Sequence, residues 1–163
     1  MKIGVLSDTH LSELTPEFVK VVEEYFSDVD AVIHAGDIVG YPVYSYLEQF
    51  PLYAVRGNMD SPALQDILDA KIFFTLDKLK IGVTHGWGIC YPIEENVLKE
   101  FPQANIVVYG HTHRPLIKHL PDGRLLFNPG SLKGNRPKYP PSVGLIHING
   151  DTTVKAEIIY LTG

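Results

Sequence analysis

Short apolar runs that end in the same polar way recur along this chain. KIGVL (Lys2 to Leu6) reads as a buried strand and runs straight into Ser-Asp-Thr-His. From Pro16 to Phe26, the apolar Phe18, Val19, Val21, Val22, Tyr25 and Phe26 fall at helical spacing, with Thr15 as N-cap and Pro16 in the first turn. AVIH (Ala31 to His34) predicts a second strand ending in Ala-Gly-Asp, and LYAV (Leu52 to Val55) a third ending in Arg-Gly-Asn. A short helix over Tyr44 to Gln49 is expected between them. Ile72 to Leu76 and Lys80 to His85 predict two strands around a turn near Asp77, and Ile93 to Phe101 predicts a helix. NIVVYGHTH (Asn105 to His113) predicts a strand that breaks at a Gly-His turn. Beyond Leu116, IKHL, RLLFN, VGLIHI and TVKAEIIYL read as a β meander. It is punctuated by PDG, by a Pro/Gly-rich loop containing the stiff RPKYPP stretch, and by the hairpin signal NGD.

Strand–helix alternation followed by β-rich segments predicts an α/β fold, two packed mixed sheets with helices outside, in one domain over residues 1–163. Five of the predicted strands end in an apolar run, a small residue, then Asp, Asn or His. Ligands collect at the carboxyl ends of strands in α/β sheets, so the repeated ending is the principal functional clue.

Composition narrows the partners. The chain is 45% hydrophobic and 20% charged, ordinary for a globular protein, and its apolar runs are too short to span a bilayer. The N-terminus lacks the apolar stretch of a secretory signal. A single cysteine, Cys90, allows no internal disulfide, and a cytoplasmic location is expected. A net charge of -5 argues against polymeric nucleic acid, but not against a phosphate ester if metal ions supply positive charge.

The candidate chemistry lies at those strand ends: Asp8 and His10 (SDTH), Asp37 (AGD), Asn58 (RGN), His85 (THG), and His111 with His113 (GHTH). Each motif alone has a bland reading, since Asp in a Gly-Asp turn commonly caps a helix or closes an Asx-turn. Together they offer seven nitrogen and oxygen ligands and no thiolate. That set suits two divalent ions sharing a carboxylate, drawn from Mn²⁺, Ni²⁺, Fe, Mg²⁺ or Zn²⁺, rather than a cysteine-held structural zinc. Two such ions bring about +4 against about −2 from Asp8 and Asp37, leaving a pocket able to hold phosphate.

In this order, the motifs Asp-x-His, Gly-Asp, Gly-Asn-x-Asp, His-Gly and Gly-His-Thr-His resemble the calcineurin-like metallophosphoesterases. The similarity is greatest to their small single-domain phosphodiesterase branch in bacteria and archaea; it runs from Lys2 to about Ser131 and includes NPGS (Asn128 to Ser131). The resemblance implies a four-layer αββα sandwich. It implies one metal on Asp8, His10, Asp37 and His113, and a second on Asp37, Asn58, His85 and His111, with Asp37 bridging. Mn²⁺ is the first expectation. A metal-bridging hydroxide would attack phosphorus, with no covalent role for Cys90 or Ser131, on a small phosphodiester. It also implies a homodimer or tetramer.

One position departs from the wider pattern. Met59 stands where many relatives carry a histidine thought to stabilise the transition state or protonate the leaving oxygen. A thioether can do neither, so diesters with good leaving groups are expected to be favoured. Arg56 and Asn128 are the candidate substrate contacts, and Asn128 to Ser131 either line the pocket or support the GHTH loop. Other readings stay open: Asp60 as a turn or cap residue, His34 as a ligand support or core residue, and Trp87 to Pro92 as a pocket wall or core cover. An alternative to an enzyme is a scaffold like the eukaryotic retromer subunit, similar in fold and motifs, which holds metal with little catalysis. The complete set of seven ligand types argues for the enzyme. A mononuclear zinc hydrolase built on GHTH alone leaves Asp8, His10, Asp37 and Asn58 unexplained.

Overall fold

Two five-stranded sheets face each other, and the reason is legible in the strands themselves. In the computed structural model, which describes residues 1–134 and 138–161, β1 (Lys2–Leu6), β2 (Ala31–His34), β6 (Ile106–Tyr109) and β8 (Leu125–Asn128) are buried along almost their whole length. Strands covered on both faces need continuous apolar runs, and these have them. Strands β1 and β2 run parallel to each other and to β3 (Leu52–Ala54), while β9 (Ser142–Ile148) and β10 (Val154–Tyr160) add antiparallel to the β1 side. The first sheet is therefore ordered β10-β9-β1-β2-β3. In the second sheet, β5 (Leu79–Thr84), β6 and β8 are parallel, with β4 (Lys71–Leu76) and β7 (Leu116–His119) antiparallel at its edges.

Alternation within each strand sorts side chains into three apolar layers. Ile3, Val5 and Ile33 of the first sheet meet Ile81, Val83, Ile106, Val108 and Phe127 of the second. Outside the first sheet, Leu6 and Val32 are covered by Phe18, Val22 and Phe26 of α1 (Pro16–Phe26), and by α2 (Tyr41–Leu47) and α3 (Pro62–Ile67). Outside the second, Val107, Tyr109 and Leu126 pack against α4 (Ile93–Glu100) through Val97. The layers are α, β, β, α, as expected.

Helix α1 has the predicted bounds, and Thr15 accepts the Phe18 N–H at 3.2 Å as its cap. Three expectations are corrected. Helix α2 begins three residues earlier than predicted, because Pro42 seeds its first turn behind Gly40. Helix α3 was not foreseen; six residues are too few to display a helical period. The segments after Leu116 form no meander: β7–β8 and β9–β10 are two hairpins in different sheets. Arg136 and Pro137 of the RPKYPP stretch lie outside the described residues.

Phe127 shows how tightly the sheets mesh. It is fully buried, and its ring fills the space above Gly144 of the opposing sheet, where even a methyl group would collide with it. Phe127→Ala should cost about 3–5 kcal/mol of unfolding free energy. Gly144→Ala should cost about 1–3 kcal/mol by overpacking. Combining Gly144→Ala with Phe127→Leu should destabilise less than the sum of the two changes, read by urea unfolding; strict additivity would mean the two sheets do not touch there.

Candidate metal centre

The parallel strands of both sheets point their carboxyl ends at one seam, and each then turns sharply. Asp8, His10, Asp37, His111 and His113 all sit in the left-handed backbone region, with φ of 53°, 50°, 60°, 66° and 57°. Non-glycine residues rarely adopt it, and such strain concentrates at functional sites. Backbone hydrogen bonds hold the first two turns against each other: Asp8 N donates to Gly36 O at 2.9 Å, and His10 N to Asp37 O at 3.0 Å. Gly57 and Gly110 let backbone approach the acids closely. A side chain at Gly57 would strike the Asp37 carboxylate, and one at Gly110 would strike Ser7 and Asp8.

Five of the seven expected ligands come within direct reach. His113 Nε2 lies 3.2 Å from Asp8 Oδ1, and His10 Nε2 lies 3.6 Å from both Asp8 Oδ1 and Asp37 Oδ2. His85 Nε2 lies 3.3 Å from Asp37 Oδ2 and 3.8 Å from Asp8 Oδ1. Two groups of donors suited to a cation result, Asp8–His10–His113 and Asp8–Asp37–His85. Asp8 is common to both, whereas the resemblance implies Asp37 as the bridge; Asp37 Oδ2 also stands between His10 and His85. The His111 ring packs edge-on against His85, with centroids 5.1 Å apart, and the His111 backbone N–H donates to Asp8 Oδ2 at 3.0 Å. Asn58 is exposed on the rim of a cleft of about 370 Å³ that His85 also lines.

The unpaired atoms support a cation fit. Asp8 Oδ1 and His85 Nε2 are buried without a hydrogen-bond partner, a costly condition in a protein interior. His85 Nδ1 is 2.8 Å from Ala35 O and donates to it, so in the neutral ring Nε2 turns a lone pair toward two carboxylates. That contact is repulsive unless a proton or a cation lies between.

The electrostatics agree. Burial pushes Asp8 upward, yet the imidazoles of His10, His113 and His85 beside it hold its carboxyl far below the ordinary range. Asp37 is lowered in the same way, against burial, by His85 and by the Met59 N–H, which donates to Oδ1 at 2.8 Å. Conversely, the Asp8 carboxylate raises His113, and despite burial Asp37 and Asp8 raise His85. His111 falls, through burial and the neighbouring His85.

Three residues act as supports; the contacts of Asp60 and Ser131 were not foreseen, while Asn128 takes the loop-supporting one of its two expected roles. Asp60 is buried and takes no helix cap. Its Oδ2 accepts the Gly57 N–H at 2.6 Å and the Asp37 N–H at 3.2 Å, and its Oδ1 the Val39 N–H at 2.7 Å, tying the Asn58 turn to the Asp37 turn. Asn128, weighed as a substrate contact, is fully buried. Its amide N–H groups serve Gly110 O and Thr112 Oγ1 and its oxygen accepts from Gly130 N, so it props the GHTH loop instead. Ser131 Oγ donates to Asp8 O at 2.8 Å. No local signal points to the Asp60 contacts, which run three residues back to Gly57 and across to Asp37 and Val39. Arg56 Nη1 donates to Leu68 O at 2.8 Å and Gln65 O at 3.3 Å at the end of α3, although the residue also lines the cleft. His34 is fully buried; its Nδ1 accepts the Gly36 N–H at 3.1 Å, its Nε2 pairs with Thr9 Oγ1, and burial pushes it down to about 3. It is a neutral support. Met59 is an exposed side chain, not a core residue.

Comparison with known proteins follows the geometry. The model of the calcineurin-like phosphoesterase superfamily domain matches residues 1–151. A probable metallophosphoesterase of Methanothermobacter thermautotrophicus is 33% identical, covering 98% of this chain and 92% of its own. The structure of an archaeal phosphodiesterase superposes with a TM-score of 0.75 at 29% identity, covering 98% of this chain and 100% of that one. Zinc-complexed Vps29 of Entamoeba histolytica, with a TM-score of 0.74 at 23% identity over 98% of this chain and 99% of its own, shares the fold. This chain belongs to the calcineurin-like phosphoesterase superfamily, a family of metal-dependent enzymes, and is a metallophosphoesterase. Among the described residues no helix is long and apolar enough to cross a membrane.

Cation binding should compete with protons. Ligand imidazoles must be neutral, and before a cation binds His85 and His113 hold their protons above the ordinary 6.5. Lowering the pH from about 8 to about 6 should therefore weaken divalent-ion affinity by more than about tenfold, with proton release on binding. Calorimetry in buffers of different ionisation enthalpy reads both. Asp60→Asn leaves the ligands intact but weakens their clamp, and should lower metal affinity by about 10- to 100-fold with little change in melting temperature.

Proposed function

We propose that this chain is a two-metal phosphodiesterase for small diesters with good leaving groups, using Asp8, His10, Asp37, Asn58, His85, His111 and His113 as ligands. The observation that carries the reading is the pair of buried, unpartnered atoms, Asp8 Oδ1 and His85 Nε2, facing each other among converging imidazoles. Held by these residues, two divalent ions (Mn²⁺ first, with Ni²⁺, Fe, Mg²⁺ or Zn²⁺ as alternatives) would activate water for attack near neutral pH and would supply positive charge for the phosphoryl oxygens.

The chain's own residues do the rest. Asp8 and Asp37 are ionised throughout the working pH range and hold the positive charge in place. His85 is fixed in one tautomer by Ala35 O. His111 N–H and Met59 N–H orient the two carboxylates from the outside. No side chain at position 59 offers a proton to the departing oxygen, because a thioether has none. Arg56 at the cleft edge remains the one charged candidate for substrate contact, and Asn128 acts through the loop it props. The reading includes a homo-oligomer, on the resemblance, and a cytoplasmic location, which the single Cys90 supports.

A scaffold that keeps metal but little catalysis is the second reading, favoured by the shared fold with Vps29 and by the missing acid. Elemental analysis of freshly purified protein followed by a screen of mono- and diesters decides. Two ions per chain with diesterase turnover supports the enzyme, and metal without turnover under any ion supports the scaffold. Within the enzyme reading, bis-p-nitrophenyl phosphate should turn over far faster than its alkyl counterpart. Met59→His should then raise the alkyl rate by up to about 10²-fold while changing the nitrophenyl rate little. Equal rates on both diesters in the unaltered protein would sink the leaving-group argument.

A further inference from the structure

The cleft beside His85 is built differently from the metal centre. Its walls include Asn58, His85, Gln65, Thr84, Arg56 and, at its mouth, Trp87. No carboxylate and no lysine lines it, and Arg56 already donates Nη1 to two helix-end carbonyls. At about 370 Å³ it has the size of a small-ligand site. Trp87 is the chain's one tryptophan and is 65% exposed. It stands in a short turn straight after His85, where the Ile89 N–H donates to Gly86 O at 3.2 Å. An indole rarely stays in water without a use, since its large apolar face gains from being covered.

Position makes that use specific. His85 belongs both to a cation-binding group and to the cleft wall, and Asn58 shares the rim. A phosphoryl group at the metal centre therefore has one substituent directed into this space. Glycines at 57 and 86 add no side-chain bulk to the wall, and Asn58 and Gln65 bring amides to the lining. Gln65 Nε2 is already committed to Gly57 O at 2.8 Å, which holds its amide in place. A flat ring with polar edges meets such a site well: a face for Trp87, and edges for the amides. A charged or long flexible alkyl substituent does not, lacking both.

We infer that the cleft between Asn58 and Trp87 is a subsite for an aromatic or heteroaromatic substituent of the phosphoester, with Trp87 as its stacking platform. This rests on the phosphodiesterase reading and adds a preference independent of leaving-group strength: the ring is recognised whether or not it departs.

Two unreactive probes separate these causes. Phenylphosphonate and methylphosphonate carry the same phosphoryl anion and differ in the ring alone. Titrated calorimetrically into the Mn²⁺-loaded protein, phenylphosphonate should bind on the order of tenfold more tightly than methylphosphonate, and it alone should shift the intrinsic fluorescence of Trp87. Trp87→Ala should abolish the difference and Trp87→Phe should retain part of it, with metal content equal to the unaltered protein. If methylphosphonate and phenylphosphonate bind equally and leave the fluorescence unchanged, the aromatic subsite is wrong while the phosphoester site stands. If neither binds to the metal-loaded protein, the phosphoester site itself is wrong. A preference that survives Trp87→Ala would place the ring elsewhere and also overturn the assignment.

Discussion

Two buried carboxylates, Asp8 and Asp37, must keep their charges while sharing two imidazole nitrogens, those of His10 and His85, at the seam of two apolar sheets. Burying one unpaired charge costs several kcal/mol, and two like charges repel as well. Everything around the seam answers that cost. Four histidines arrive from both sheets, and backbone N–H groups of His111 and Met59 donate to the carboxylates. The turns that bring these groups together accept left-handed backbone at five of the seven proposed ligand positions. The strain is tolerated because the strands feeding those turns are buried on both faces and cannot yield. Even so, Asp8 Oδ1 and His85 Nε2 are left without hydrogen bonds, which divalent charge would resolve.

The outer supports show why the site behaves as one unit. Asp60 joins the turns after β2 and β3, Asn128 fixes the loop after β6, and Ser131 reaches from the second sheet to the backbone of Asp8 in the first. Each support crosses between loops that are far apart in the chain, and none touches where a substrate phosphate would sit. Their effect is positional: a loop shifted by even half an ångström would misplace two ligands together. This is why NPGS belongs with the ligand motifs although it supplies no ligand.

What could be read in advance follows the same physics. Strands β1, β2, β6 and β8 announced themselves because double burial writes a continuous apolar run. The proposed ligand types were legible because each lies one to four residues beyond a strand. Asn128 was legible as a support of the GHTH loop or a pocket residue, but the contacts of Ser131 and Asp60 were not, since their partners are backbone groups and leave no periodic trace. Helix α3 was too short to show a period. The last four strands looked like a meander because local pattern records each strand, while the sheet it joins is decided by packing across the seam. Asp8 as the atom common to both donor groups is a matter of ångströms, beyond any motif.

Position 59 joins these strands of argument. Its backbone N–H is committed to Asp37 Oδ1, so the residue's place is set by the carboxylate whatever side chain it bears. The side chain itself is 56% exposed and takes no part in the core. Architecture and chemistry are thus uncoupled at this one residue: the peptide group serves the metal centre, and the side chain is free to serve, or not serve, the leaving group. A histidine there would need no rearrangement of the fold. The methionine side chain is therefore separate from the packing of the core, and on the proposed reading its consequence falls on which bonds can break.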